Sequence, residues 1–280
     1  VVVNIFGFVV AKGSFTLTKS AIDVDVDPAT PGIELTDASL LQISLTNVNL
    51  FAGIGGSFNT NYSINTEGAV GFSVDNANLV LALIKPNATA VAAGDTRSYL
   101  GIKGYVGSAS FVGIDTLEIT ATSLSIEINN ASGLVGTTAA TPLNWKTAFD
   151  LNNNGTFGET GDILDPGLDL DPQITDESLA FNFSGSLLRA SGAVTLIIKD
   201  GDTEFVKISG GFSFTKSESS ENGVKTTKLI VAAAGIETFL GSGDARFPDK
   251  SINLDATGVL ITGANLGLVL YKKTDIETNT

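Results

Sequence analysis

The sequence predicts an all-β fold, an elongated repetitive stack of bent strands of the β-solenoid kind, with a β-sandwich as the alternative. Three observations predict it. Apolar residues alternate with the period of a strand, the alternation slips at regular places, and a long stretch of chain recurs. Composition agrees: charged residues are 16%, Gly occurs 31 times and Met not at all, so helix formers are scarce and turn formers plentiful. With 280 residues and 43% hydrophobic content, the chain can bury a sizeable core.

The recurrence sets the organisation. Phe15-Thr-Leu-Thr-Lys-Ser20 returns as Phe212-Ser-Phe-Thr-Lys-Ser217, and Phe51-Ala-Gly53 as Phe239-Leu-Gly241. Ser63-Ile-Asn65 matches Ser251-Ile-Asn253, Ala77-Asn-Leu79 matches Ala264-Asn-Leu266, and Lys85 corresponds to Lys272. The order is kept while the offset drifts from 197 to 187, which places length changes in loops such as Asp23–Glu34 against Glu218–Lys225. The whole chain, 1–280, therefore reads as one continuous repetitive β segment with equivalent parts 1–86 and 194–273. Between them lies 87–193, which contains an acidic loop at 146–177. The chain reads as a window on a longer tandem array.

The strands follow from the alternation. Leu41, Ile43 and Leu45 alternate, then the phase jumps to Val48 and Leu50; Val74 jumps to Ala77, followed by Leu79, Leu81 and Leu83. Ile261 jumps to Ala264 in the same way, and Val112–Ile128 slips twice. The slips fall at Thr46-Asn47, Asp75-Asn76, Thr122-Ser123 and Thr262-Gly263. Small polar residues at a phase slip predict a corner or bulge that re-aims a strand while one face stays buried. Lys199-Asp-Gly-Asp202 and Glu221-Asn-Gly223 read as antiparallel hairpins. Asn144–Phe149 reads as a single helical turn.

The acidic loop is the one distinct chemical feature. Between Asp150 and Glu177 fall Asp150, Glu159, Asp162, Asp165, Asp169, Asp171, Asp176 and Glu177, without a single Lys or Arg. Asp150-x-Asn152-x-Asn154-Gly155-Thr156 matches the opening of a calcium loop: oxygen ligands at alternate positions, Gly for the turn, then a carbonyl. An EF-hand wants Glu at the twelfth position, where Gly161 stands with Asp162 next. The metal set is therefore Asp150, Asn152, Asn154, Thr156 and Asp162, with Ca²⁺ as cofactor. The other reading is a solvated acidic loop in which Asn-Gly makes a turn. Asp23, Asp25 and Asp27 alternate and read as one solvated strand face rather than a metal site.

Several functions are excluded. Cys and His are both absent, so thiolate metal sites and Ser/His/Asp or Cys/His nucleophiles cannot be built. A net charge of −14 and a pI near 4.3 repel nucleic acid and anionic lipid while attracting cations. No apolar run reaches the ~18 residues of a bilayer-spanning helix, so no membrane insertion is expected. Val1–Val10 lacks the basic flank and cleavage site of an export signal. The acids cluster in one loop rather than facing each other from separate strands, so no enzyme is expected. Trp145, just before the calcium-like loop, reads as packing beneath it, and the 16 Phe residues suit a core. Gly53-Ile-Gly-Gly56 and Gly241-Ser-Gly243 read as turns.

Four stretches carry a family resemblance: Phe6-Gly-Phe8 leading to Gly13-Ser-Phe15 and Lys19-Ser20; Ala109-Ser-Phe-Val-Gly-Ile-Asp115; Leu124-Ser-Ile-Glu-Ile-Asn129; and Phe149-Asp-Leu-Asn-Asn-Asn-Gly-Thr-Phe-Gly-Glu159. The chain resembles the tandem repeats of giant secreted bacterial adhesin-like or matrix proteins. That resemblance implies an extracellular, non-catalytic, often calcium-stabilised rod. Loops of that family commonly carry Asp where Asn152 and Asn154 stand here, which lowers the charge of the ligand set. The expected function is a calcium-rigidified structural spacer at the cell surface or in the extracellular matrix. Its partners would be neighbouring repeats or identical subunits, and surface polysaccharide. The alternative is a polysaccharide-binding or polysaccharide-cleaving β module.

Overall fold

Alternating apolar residues need a sheet on which to share a face, and the chain builds one large sheet. In this computed structural model the described residues are 1–27, 33–159, 161–166, 179–221 and 223–275. Nine long strands carry the sheet: β2 (Val9–Val24), β3 (Leu35–Ile54), β6 (Val70–Lys85), β7 (Ser98–Val112), β8 (Leu117–Ser132), β11 (Ser186–Asp200), β12 (Thr203–Glu221), β13 (Val224–Ser242) and β14 (Thr257–Asp275). A short β1 (Val2–Ile5) completes ten, in the order β1-β2-β3-β6-β7-β8-β11-β12-β13-β14. Every pair is antiparallel, and the sheet is open, with β1 and β14 at its edges. The hairpin at Lys199–Asp202 joins β11 to β12 around Gly201 at φ 57°. Asn222, in the other predicted hairpin, lies outside the described residues.

The remaining elements are short. β4 (Ser57–Phe58) pairs with β5 (Ile64–Asn65), and β9 (Leu134–Val135) with β10 (Thr138–Ala139). The one helix among the described residues is α1 (Ala88–Ala92); at Asn144–Phe149 the chain makes a hydrogen-bonded turn, the Thr147 N–H donating to the Asn144 carbonyl at 3.1 Å, that does not extend into a helix. α1 starts because the Asn87 side chain caps it by accepting the Ala90 N–H at 2.9 Å. No helix of the described residues is long and apolar enough to cross a membrane.

The phase slips are bulges inside continuous strands. Asn47, Asn76, Ser123 and Gly263, the second residue of each predicted corner, all have positive φ, at 51°, 54°, 53° and 69°. Register breaks there, between Leu45 and Val48 on β3 and between Ile236 and Thr238 of β13 opposite Gly263, and it breaks again at Gly235 (φ 61°) between Ala233 and Ile236. An extra residue at each bulge keeps Leu45 and Val48 on one side of the sheet. Asn side chains brace the bulges across strands. Asn78 accepts the Asn47 N–H at 3.0 Å, and Asn265 accepts the Gly235 N–H at 3.0 Å.

The two equivalent parts meet their neighbours in matching register. Phe15 pairs with Leu45, which pairs with Leu79; Phe212 pairs with Ala233, which pairs with Leu266. Asn47 and Gly235 share a place in this lattice, as do Asn78 and Asn265. Each part also folds a flap over a buried Phe. β4 and β5 lie by Phe51 (0% exposed), and in the second part Arg246 bridges Ile252 at the positions equivalent to Phe58 and Ile64, with Phe239 likewise buried (3%). Glycine permits the close approach: a Cβ on Gly53 would sit 2.8 Å from the Phe51 ring, and one on Gly241 2.7 Å from the Phe239 ring.

The sheet has two unlike faces. One is an apolar carpet, with the cross-strand row Phe15, Leu45, Leu79, Gly104, Ile126, Ala190, Phe214, Val231 and Leu268 running from β2 to β14. Shallow apolar troughs run along this face, one of them holding Leu45, Val48, Leu79 and Leu124. Phe is therefore not confined to the core: Phe15, Phe72, Phe212 and Phe214 are exposed on the carpet or beside it. The opposite face is polar across much of its width, and one end of it is roofed by the connection from β10 to β11. There the main core assembles from Leu40, Val80, Ala82, Ile84 and Tyr99 below and Leu143, Trp145, Phe149, Phe181 and Phe183 above.

Candidate functional site

The roof is pinned by one buried amide. Asn129 on β8 accepts the Trp145 indole N–H at 2.9 Å and donates its own amide to the Leu143 and Gly185 carbonyls at 2.7 and 2.8 Å. Both ends of the roof are thus tied to one side chain that is itself 1% exposed. Every polar group of that side chain is matched, which is what makes its burial tolerable. Trp145 packs edge-on to Phe181 at 4.9 Å and against Phe149 at 5.8 Å. Beneath it stands Gly101, where a Cβ would come within 2.8 Å of the indole. Farther along, Lys103 reaches up to the Ala180 carbonyl at 3.1 Å, while Glu127 is paired with Arg189 at 2.6 Å.

From Phe149 the chain turns into the acidic loop, close-knit by backbone amides. The Asp150 carboxylate accepts the Asn154 and Gly155 N–H groups at 3.0 and 2.8 Å. Asn152 also accepts from Asn154, and Asn154 accepts from Thr156 at 2.8 Å. Gly155 at φ 86° and Asn153 at φ 56° supply the left-handed turns this requires. Asp162 is fully buried, and its two oxygens take the Leu151 and Glu159 N–H groups, each at 3.0 Å. Asp162 therefore closes the loop from below, while Asp150, Asn152, Asn154 and Thr156 share one tight turn.

The oxygens of this turn are hard donors suited to Ca²⁺. Asn152 and Asn154 each accept one N–H through a carbonyl oxygen that has a second lone pair. Only Asp150 and Asp162 of the set are carboxylates, and among the described residues no three acidic side chains converge as a metal-holding group. Asp169, Asp171, Asp176 and Glu177 lie outside the described residues.

The loop faces the sheet across a cleft of about 550 Å³, lined by Asp23 and Asp37 on one side and Asp150 and Asp165 on the other. Gln42 lies in its wall, and its buried Oε1 has no hydrogen-bond partner among the described residues. Asp23 accepts the Asp37 N–H at 2.8 Å, and Asp37 sits at φ 50°. The three alternating aspartates do not share a strand face. β2 ends at Val24, so only Asp23 belongs to it. Asp25 tucks its N–H onto the Ala148 carbonyl at 3.0 Å. Burial, reinforced by the nearby Glu34 charge, raises its carboxyl above the ordinary range.

Sequence reasoning finds the loop and the position of Trp145, but not Asn129, Gly101 or Asp37. Asn129 closes one of the stretches that carried the family resemblance, which is the only signal it left. Asp37 meets the loop across more than a hundred residues of chain, and no local pattern records that. No protein-family model matches the chain, and neither a curated protein nor a solved structure matches it.

Proposed function

We propose that this chain is a non-catalytic structural repeat of a large extracellular surface, filament or adhesin protein, acting as a calcium-rigidified spacer. The observation that carries this reading is the matched register of β2-β3-β6 and β12-β13-β14, down to the bracing Asn78 and Asn265. A unit laid down twice with its braces and flaps in place is a building block, and stacked units bury more apolar surface than one unit can. The apolar carpet supports the same reading: a neighbouring repeat or identical subunit would close it, as an elongated stack or as a sandwich. Lack of Cys and of net positive charge agrees with a secreted, surface-exposed setting.

Calcium would be held by Asp150, Asn152, Asn154, Thr156 and Asp162, and would fix the roof over the core. Thermal unfolding in Ca²⁺ against EDTA tests this. Saturation at a hundred times Kd adds about 2.7 kcal/mol of apparent stability. At about 2–4 °C per kcal/mol for a chain of this size, the midpoint should rise by several degrees. Asp150→Ala should abolish the rise. An unchanged midpoint in the parent chain would remove the metal from the proposal.

A second reading, polysaccharide binding or cleavage, is favoured by the cleft in which Asp23 and Asp37 face Asp150 and Asp165. Retention on immobilised polysaccharide that Asp37→Ala abolishes would carry it in place of the first.

A further inference from the structure

We propose that the outer edge of β14 is a docking surface for one β-strand of the β7 type, supplied by another copy of this repeat unit. The inference rests on the repeat reading and names the surface and register through which units join. β14 stands where β6 stands in the first part: Gly71, Ala77-Asn-Leu79, Leu81, Leu83 and Lys85 return as Gly258, Ala264-Asn-Leu266, Leu268, Leu270 and Lys272. Each sits beside the equivalent strand, β6 on β3 and β14 on β13. β6 carries β7 on its other edge, in one constant register from Gly71 opposite Val112 to Ile84 opposite Tyr99. Among the described residues that edge of β14 is unpaired.

Between its Gly263 bulge and Lys272, β14 carries no device that defends the edge. Exposed edge strands are ordinarily short, or carry Pro or inward-pointing charge. β14 runs for 19 residues with no Pro, and no charged residue occurs before Lys272. The opposite edge of the sheet differs in part: β1 covers β2 from Val9 to Lys12, the Val1 amino group donates to the Gly13 carbonyl at 2.6 Å, and the uncovered remainder of β2 carries Lys19 and Asp23. β14 is also bare on its face, with Leu266, Leu268 and Leu270 at 64%, 46% and 49% exposed, whereas Leu79, Leu81 and Leu83 beside β7 are half-buried. An added strand would satisfy the backbone of the edge and cover that leucine row together.

The lattice fixes the register: Ile102 of the incoming strand opposite Leu268, and Leu100 opposite Leu270. The parent chain has no Cys, so the test is clean. The chain carrying Leu268→Cys is mixed with a synthetic Ser98–Val112 peptide bearing Ile102→Cys, under mild oxidation. Disulfide yield should exceed by about tenfold that of a peptide with the cysteine moved to Gly101, because a one-residue shift turns the side chain to the other face. Amide exchange at alternate residues of β14 should slow in the presence of the unmodified peptide, and a β8 peptide should leave it unchanged. Equal yields in both registers, no cross-link, or protection of β2 instead of β14 would each overturn the proposal. Failure here is separable from failure of the repeat reading, which the losses in Asn78→Ala and Asn265→Ala test on the chain alone.

Discussion

β3 and β6 in the first part, and β13 and β14 in the second, are built on the same lattice with different residues at many facing positions, and one pair shows why. Leu40 faces Ile84 across β3 and β6; Lys228 faces Tyr271 at the equivalent place across β13 and β14. The first pair is buried at 2% and 0% beneath the roof, and belongs to the main core. In the second the Lys228 ammonium lies 5.8 Å from the centre of a Tyr271 ring that is 62% exposed. Where the β10–β11 connection lies overhead the pair is aliphatic, and where none of the described residues overlies the sheet it is an amphipathic pair that solvent can wet. The lattice is set by bulges and register, and the residue chemistry at each node by what covers it.

The largest expected effect separates roofed from open positions. Trp145→Ala removes the centre of the roof, leaves Asn129 with an unfilled acceptor, and should cost about 3–5 kcal/mol. Tyr271→Ala should stay within about 0.5 kcal/mol, as exposed substitutions do. Chemical denaturation of the two variants checks the contrast, and similar losses would mean that the open part has a cover of its own. Gly101→Ala sharpens the point: a methyl group there enters the Trp145 ring space, so a deficit of about 1–3 kcal/mol is expected from overpacking alone.

This contrast also marks what a sequence can and cannot record. The slips at Asn47, Asn76, Ser123 and Gly263 were legible because a bulge displaces the alternation locally, and small polar residues tolerate positive φ. That the strands continue through the bulges was not, since the same slip describes a corner between two strands. Alternation reports that a face is apolar, not that anything lies on it, so Phe212 and Phe214 read like core residues. Asp23, Asp25 and Asp27 looked like one face because their spacing is strand-like, but the Asp25 amide leaves the sheet for the roof. The candidate cleft is made by contacts between distant segments, and only its loop half had a local signature.

The next effect is acid-dependent. Asp95 is held below the ordinary carboxylate range chiefly by hydrogen bonds from Arg97, whose guanidinium nitrogens lie 2.7–3.1 Å from the Asp95 oxygens. Arg246 does the same for Glu237 in the second part. A depressed pKa contributes stability that is present above the unfolded value, 3.8 for Asp95 and 4.5 for Glu237, and is lost as pH falls through the folded value. Asp25 has the opposite sign: its raised pKa contributes stability below 3.8 that disappears as pH rises through the folded value. Unfolding midpoints between pH 7 and pH 3 should therefore fall less steeply in Glu237→Gln and Asp95→Asn than in the parent chain. Asp95→Asn should be the less stable at neutral pH, because it leaves Arg97 nearly buried without its partner charge. In Asp25→Asn, by contrast, stability should rise at neutral pH and the acid limb should steepen.

The smallest effect is the most discriminating for the repeat. Asn78 and Asn265 each accept the backbone N–H of a bulge on the neighbouring strand, one on each copy of the lattice. Both contacts are exposed, so the two should be worth the same. Asn78→Ala and Asn265→Ala should each cost about 1 kcal/mol, the net value of one hydrogen bond partly open to water. The double variant should cost the sum, since distant sites without shared partners act independently. Unequal losses would mean that β13 and β14 do not hold their bulge as β3 and β6 do. In that case the two parts would share a pattern of residues without sharing the forces that shape it.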